Sequence, residues 1–185
     1  MERERFCGPS GGREAGDGMM ATRSELLAFL DDLGLETSTT DHRPVFTVAE
    51  SEDVHAMIPG AHTRNLFLKD KKGRIFLVVV LHDATVDLKQ IHTLIGGQGR
   101  VSFGNADQLM ECLGVVPGSV TPFGLYNDRE AQRVTPIFDA AMMQHEVLNF
   151  HPLSNDATTT ISRDGLLAFA RACGHEPQVL AVTEE

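Results

Sequence analysis

Tryptophan is missing from this chain of 185 residues, and tyrosine occurs once. Aromatics make up only 6%, so a core has to be built from aliphatic side chains and the ten phenylalanines. Positive charge is scarce too. Sixteen Lys and Arg stand against 26 Asp and Glu, for a formal net charge of -10. An acidic balance of that size argues against broad, non-specific attraction to nucleic acid or anionic membrane, and leaves room only for a local basic site. Cysteine is limited to Cys7, Cys112 and Cys173, an odd number at wide spacing. Neither a zinc motif nor a disulfide framework can be read from them, which fits a reducing cytoplasm. His42, His55, His62, His82, His92, His145, His151 and His175 are scattered, with no metal-binding spacing among them. No metal and no cofactor is expected. There is no apolar run of membrane-spanning length and no charged start followed by an apolar stretch. The expectation is a cytoplasmic protein with no membrane partner.

What is present is a 42% hydrophobic content in a chain of ordinary single-domain length. Residues 1–18 are dominated by Gly, Arg, Glu and Asp, and read as a disordered tail. Met19 and Met20 mark the point where periodic sequence begins, so residues 19–185 are expected to form one domain.

The chain then alternates. Thr22 and Glu25 form a capping box ahead of Leu26, Leu27, Leu30 and Leu33, and Gly34 closes that first helix. A Thr-rich strand is expected over 37–42, and a short helix capped by Thr47 and Glu50 ends before Pro59. Residues 65–69 and 74–80 read as a hairpin around the turn Asp70-Lys-Lys-Gly73. Its second strand, Ile75-Phe-Leu-Val-Val-Val80, is apolar throughout and reads as central, covered on both faces. A helix over 87–95, a strand over 100–103 and a helix from Asn105 to Leu113 follow. Strands over 133–139, 146–150 and 158–161 and a last helix capped by Ser162 complete the pattern. The irregular alternation predicts an α/β fold: a compact single domain with a mixed β-sheet flanked by helices.

Gly114 to Leu125 stands apart. It holds three glycines and two prolines in twelve residues, yet Val115, Val116, Val120, Phe123 and Leu125 are apolar. Such a loop is too interrupted for a regular element and too apolar for a solvated linker. It can present backbone N–H groups in a fixed geometry, or it can simply pack. His151 follows an apolar strand and precedes Pro152, so it is held in place. It suits either a ligand contact with acid–base capacity or a structural bond to a loop carbonyl. Arg64, Lys69, Lys71, Lys72 and Arg74 place five of the sixteen basic residues in eleven positions. That cluster suits phosphate contacts or a solvated hairpin tip. Gly96-Gly97-Gln98 matches the tripeptide with which peptide-release factors hydrolyse peptidyl-tRNA, but it sits where a glycine-rich loop is expected anyway.

Three motifs in order carry a resemblance: His62-Thr-Arg-Asn-Leu-Phe-Leu-Lys-Asp-Lys-Lys-Gly-Arg74, then Gly118-Ser-Val-Thr-Pro-Phe-Gly124, then Asn149-Phe-His-Pro-Leu-Ser-Asn-Asp-Ala-Thr-Thr159. Over about residues 22–175 the chain resembles the YbaK/prolyl-tRNA-synthetase-associated editing domain family, above all its freestanding members that remove alanine from mischarged prolyl tRNA. The resemblance implies a compact α/β domain with a curved mixed sheet. It implies a deacylase acting on the aminoacylated acceptor end of tRNA, with prolyl-tRNA synthetase as an associated partner. It places the scissile ester against the loop Gly118 to Pro122, with Ser119 and Thr121 in it and Phe123 directly after, and assigns the pocket histidine to His151. It assigns contacts with the terminal nucleotide to Arg64 and Asn65, with Lys69 further along the strand. Arg64 departs from the family pattern, which has lysine there; a planar guanidinium and a compact ammonium do not hold phosphate in the same geometry. Two other function classes stand beside the enzyme: a non-catalytic tRNA-binding or synthetase-associated module, and a duplex-DNA-binding protein. The last is disfavoured by the acidic charge and the lack of a basic recognition helix.

Overall fold

The computed structural model describes residues 20–184. The expected tail over 1–18, Cys7 and Met19 lie outside the described residues. The elements run in the order α1 (Arg23–Asp32), β1 (Thr37–Asp41), α2 (Val48–Met57), β2 (Ala61–Lys69), β3 (Ile75–Leu81), α3 (Ile91–Ile95), β4 (Ser102–Phe103) and α4 (Ala106–Leu113). There follow β5 (Val134–Asp139), β6 (Val147–Phe150), β7 (Ala157–Ser162), α5 (Arg163–Ala172) and β8 (Gln178–Leu180). The strands form one mixed sheet in the order β1-β7-β6-β2-β3-β5-β8, with β4 on β2.

Local sequence explains the helix starts. Thr22, Thr47 and Asn105 each accept from the backbone N–H three residues on, while Glu25, Glu50 and Gln108 reach back to the cap N–H. This satisfies two otherwise unpaired donors at each helix start. Ser162 caps α5 by accepting from Gly165 N at 2.9 Å. A Cβ on Gly165 would lie 2.9 Å from Ser162 Oγ and 3.0 Å from Ile161 Cγ1, so glycine keeps the cap and β7 together.

β3 is central, as its apolar run predicts. Phe76, Val78 and Val80 point to one face, where Ile91 and Ile95 of α3 cover them. Leu77 and Val79 point to the other, with Leu26 and Leu30 of α1, Leu109 and Leu113 of α4 and Leu166 and Phe169 of α5. Alternation along a pleated strand makes both statements hold at once.

β2 organises the site. One edge pairs with β3 along Thr63 to Lys69. The other edge pairs in parallel with β6 at Ala61 and His62, then antiparallel with β4 at Leu68 and Lys69. Between those two partners, at Thr63 to Phe67, no strand among the described residues pairs with that edge. A gap there leaves room for a ligand beside the sheet.

Four elements differ from expectation. β2 begins at Ala61, so Arg64 lies within the strand and not at its start. The helix expected from Asp87 begins at Ile91, because Asp87 folds into a turn, accepting from Lys89 N at 2.9 Å and Gln90 N at 3.1 Å. Pro122–Tyr126, read as irregular loop, is a 3-10 turn opened by Thr121 and started on a proline whose fixed φ suits that position. β8 was not anticipated; three residues without alternation carry no strand signal, and pairing with β5 supplies it.

Candidate functional site

Two adjacent cavities open beside β2. The inner one, of ≈ 50 Å³, is lined among others by His42, His55, His62, Asn149 and Thr158. The outer one is an open groove of ≈ 230 Å³ lined by Thr63, Arg64, Asn65, Gly118, Val120 and His151. Thr63, Asn65 and His151 belong to both. The inner space holds only a few water-sized groups.

Each wall is fixed by its own element. Thr63 Oγ1 donates to Asn149 O at 2.8 Å, stitching β2 to β6. Asn149 is buried and fully engaged: Nδ2 donates to Pro59 O at 3.0 Å and Ala61 O at 3.3 Å, and Thr160 Oγ1 donates to Oδ1 at 2.6 Å. Gly60 allows this approach, since a Cβ there would lie 2.9 Å from Asn149 Nδ2. Asn65 is different. Its Oδ1 is buried and has no hydrogen-bond partner among the described residues. An unfilled buried acceptor costs about 1–3 kcal/mol and calls for a donor.

His151 is the first residue after β6. Its Nδ1 lies 3.0 Å from Ala157 O, so Nδ1 carries the proton in the neutral ring and donates there. Nε2 is left as an acceptor. Burial pushes the ring below the usual histidine range, which outweighs the opposing pull of the Ala157 carbonyl. His42, whose ring centre lies 6.4 Å away, lowers it further in the same direction as burial. His42 itself donates through Nδ1 to Arg43 O at 2.8 Å, with Nε2 2.8 Å from Thr158 Oγ1.

Behind these, His55 stacks on His62 with ring centres 4.0 Å apart and meets His82 edge-on at 4.4 Å. Burial and then the neighbouring His62 lower His55 to about 4, and burial lowers His62. This histidine cluster was not legible in spacing. Helix α2, strand β2 and the turn after β3 assemble it from separate stretches. Among the described residues no group of three or more His, Cys, Asp or Glu is placed to hold a metal ion.

The loop before the 3-10 turn contributes backbone only. Gly118 has φ +92° and a Cβ there would meet nothing within 4 Å, so its Cα face opens on space. Among the described residues, the N–H groups of Gly118 and Val120 find no acceptor. Ser119 N is committed to Val116 O at 3.0 Å. Arg64 Nη2 donates to Ala84 O at 2.9 Å, which anchors one arm of the guanidinium and leaves the rest exposed.

Of the nine residues singled out from sequence, Arg64, Asn65, Gly118 and His151 meet at the outer groove. The other five do not line it. Ser119 is buried. Thr121 is buried as the cap of the 3-10 turn, accepting from Phe123 N at 3.2 Å. Pro122 begins that turn, and Phe123 is sealed in the core edge-on to Phe150 and Phe169. Lys69 sits at the far end of β2, opposite Ile75 and Ser102. The picture of a whole loop facing the ligand thus narrows to Gly118 and Val120.

The family profile of the aminoacyl-tRNA editing domain matches residues 42–169, spanning every wall of both cavities. This chain belongs to the aminoacyl-tRNA editing domain family. It is 36% identical over 162 residues to the prolyl-tRNA synthetase associated domain-containing protein 1 of Mus musculus, covering 85% of this chain and 95% of that protein. It is 34% identical over 157 residues to the prolyl-tRNA editing protein ProX of Acetoanaerobium sticklandii, covering 84% and 94%. A solved structure described as a proposed trans-editing enzyme for prolyl tRNA synthetase shares the fold, with a TM-score of 0.67 at 17% identity over 90% of this chain and all of that one. For an editing domain, the arrangement places one exposed cation, one unfilled acceptor, one neutral imidazole and free backbone donors around an open groove beside a small cavity. No helix among the described residues is long and apolar enough to cross a membrane.

Proposed function

We propose that the protein is a trans-editing deacylase that hydrolyses the ester of mischarged tRNA, with alanyl-tRNA for proline as its substrate. The observation that carries this reading is the meeting of Arg64, Asn65, Gly118 and His151 at one groove that shares Thr63, Asn65 and His151 with a cavity of ≈ 50 Å³. The family membership and the ProX relative support it.

An aminoacyl ester is already activated, so positioning and charge stabilisation can supply the rate without a protein nucleophile. The terminal nucleotide lies in the outer groove, with Arg64 on its phosphate. The amino-acid side chain enters the inner cavity. Gly118 N–H and Val120 N–H donate to the carbonyl oxygen as it becomes an oxyanion. The ribose 2′-hydroxyl orients the attacking water, and His151 Nε2, a neutral acceptor, holds a proton of that hydroxyl or of the water. Asn65 Oδ1 accepts from the substrate's ammonium group. Water adds to the carbonyl carbon, the bond to the ribose 3′-oxygen breaks, and that oxygen takes up the proton. The products are a free amino acid and a tRNA with its 3′-hydroxyl restored. A methyl group fits the inner cavity and a pyrrolidine ring overfills it, which spares the correctly charged tRNA.

The test is deacylation across a panel of aminoacyl-tRNAs under single-turnover conditions. Turnover of small amino acids, led by alanine, supports the reading. Binding without turnover on any member favours a non-catalytic tRNA module.

A further inference from the structure

The far end of the β2–β3 hairpin is not used by the site above, although it concentrates the positive charge of an acidic protein. The chain has four lysines, and Lys69, Lys71 and Lys72 are three of them. Arg74 and Arg100 join them. Lys71, Lys72, Arg74 and Arg100 are exposed. Among the described residues, none of these five cations is within ion-pair distance of a carboxylate, whereas Arg23, Arg43, Arg133, Arg163 and Arg171 each are.

The one carboxylate in the turn, Asp70, is turned inward. It accepts from Lys72 N at 2.9 Å, Arg74 N at 3.0 Å and Gln98 N at 2.8 Å. Burial alone would raise its pKa, and these backbone donors hold it below the usual carboxylate value. Lys71 N donates to Gln98 O at 3.3 Å, and Arg74 Nη1 to Gly96 O at 2.9 Å. Gly99 leaves room for the Lys71 stem, since a Cβ there would lie 2.8 Å from Lys71 Cδ. Two loops distant in sequence, 70–74 and 96–100, are therefore tied into one platform that holds its cations outward. A solvated hairpin tip needs no such tie. The Gly-Gly-Gln sequence is explained as the backbone partner in it.

Distance separates this platform from the ester site. The five residue steps of extended strand from Arg64 to Lys69 span about 17 Å. One strand of a nucleic-acid duplex carries about five phosphates over that length. A cation at the turn therefore cannot reach the terminal nucleotide held at Arg64. It reaches RNA further from the 3′ end.

We propose that Lys71, Lys72 and Arg100 form a second phosphate-binding surface, which grips the backbone of the acceptor duplex while Arg64 holds the 3′ end. This rests on the reading of the groove as a site for an aminoacylated RNA end. RNA is favoured over an acidic protein because the same strand connects the platform to that groove. Shape and phosphate contacts, not base reading, govern such an interface.

The experiment measures equilibrium binding by fluorescence anisotropy over a salt series. The probes are an uncharged acceptor-stem RNA hairpin with its 3′ tail and the single-stranded tail alone. Wild type is compared with the combined variant Lys71→Ala, Lys72→Ala, Arg100→Ala. The variant should bind the hairpin RNA about tenfold more weakly or worse, with the log–log salt slope flattened by roughly two to three units. Its affinity for the single-stranded tail and its kcat on saturating substrate should match wild type. An unchanged slope on the hairpin RNA overturns the proposal, as does equal loss on both probes. Unchanged RNA binding with lost binding to prolyl-tRNA synthetase also overturns it, by assigning the platform to protein. If the slope falls as stated but no aminoacyl-tRNA is hydrolysed, the surface stands and the catalytic reading of the groove fails.

Discussion

Asn65 Oδ1 and His151 Nε2 are two acceptors on the same pair of cavities, and neither has a partner among the described residues. Asn65 is fixed by its place within β2, His151 by its bond to Ala157 O. Two unfilled acceptors beside free backbone donors make a site that is satisfied only when a ligand supplies both kinds of group.

Asn65→Leu follows from this directly. It removes an acceptor that nothing among the described residues satisfies, at similar volume. The variant should fold with stability equal to wild type or higher, by up to about 1–2 kcal/mol. Deacylation should fall by about tenfold or more through the loss of one substrate contact. Thermal denaturation and single-turnover rates measure the two. A strongly destabilised variant with intact rates would mean that Asn65 is structural.

Gly118→Ala separates strain from catalysis. A Cβ meets no neighbour, but φ +92° is unfavourable for any side chain and costs about 1–3 kcal/mol. Stability should drop within that range. Deacylation should fall by one to three orders of magnitude, the scale of losing an oxyanion donor. Normal rates in the folded variant would show that the loop backbone does not face the ester.

Arg64→Ala should raise KM and flatten the salt dependence of kcat/KM by about one log–log unit. Arg64→Lys should recover most of the activity, because a single phosphate contact tolerates either cation. If Arg64→Ala follows the wild-type salt series, the guanidinium serves only its bond to Ala84 O.

The histidines set an acid limit. His55, His62 and His151 all have lowered folded-state pKa values, chiefly through burial. Their unfolded values are ordinary, about 6.5. Lowered folded pKa means that the unfolded chain binds protons first as pH falls. The stability tied to neutral rings is complete above about pH 6.5, and for His55 it is lost as pH drops toward about 4. Unfolding titrations from pH 8 to 4 should show this decline, and His55→Gln should reduce its slope. Equal slopes would exclude His55 as a contributor.

The central strand was legible because β3 carries an unbroken apolar run, and the helix starts were legible because their caps are local. Arg64, Asn65, Gly118 and His151 were legible through motif order, since no spacing rule links residues on β2, a loop and the end of β6. Assembly by a parallel pairing of β2 with β6 hides such a site from any local pattern. The histidine cluster was hidden for the same reason. Thr121 and Phe123 lie away from the groove, buried by the 3-10 turn. Glycine and proline spacing marked the loop but could not show that a 3-10 turn would bury those two side chains.

The account stands or falls on selectivity at one tRNA. Alanyl-tRNA and prolyl-tRNA for proline, with identical RNA, should be deacylated at single-turnover rates that differ by about hundredfold or more in favour of alanine, on the scale that steric exclusion supplies. Equal rates would contradict the size-excluding inner cavity, and no hydrolysis of either would contradict the deacylase itself.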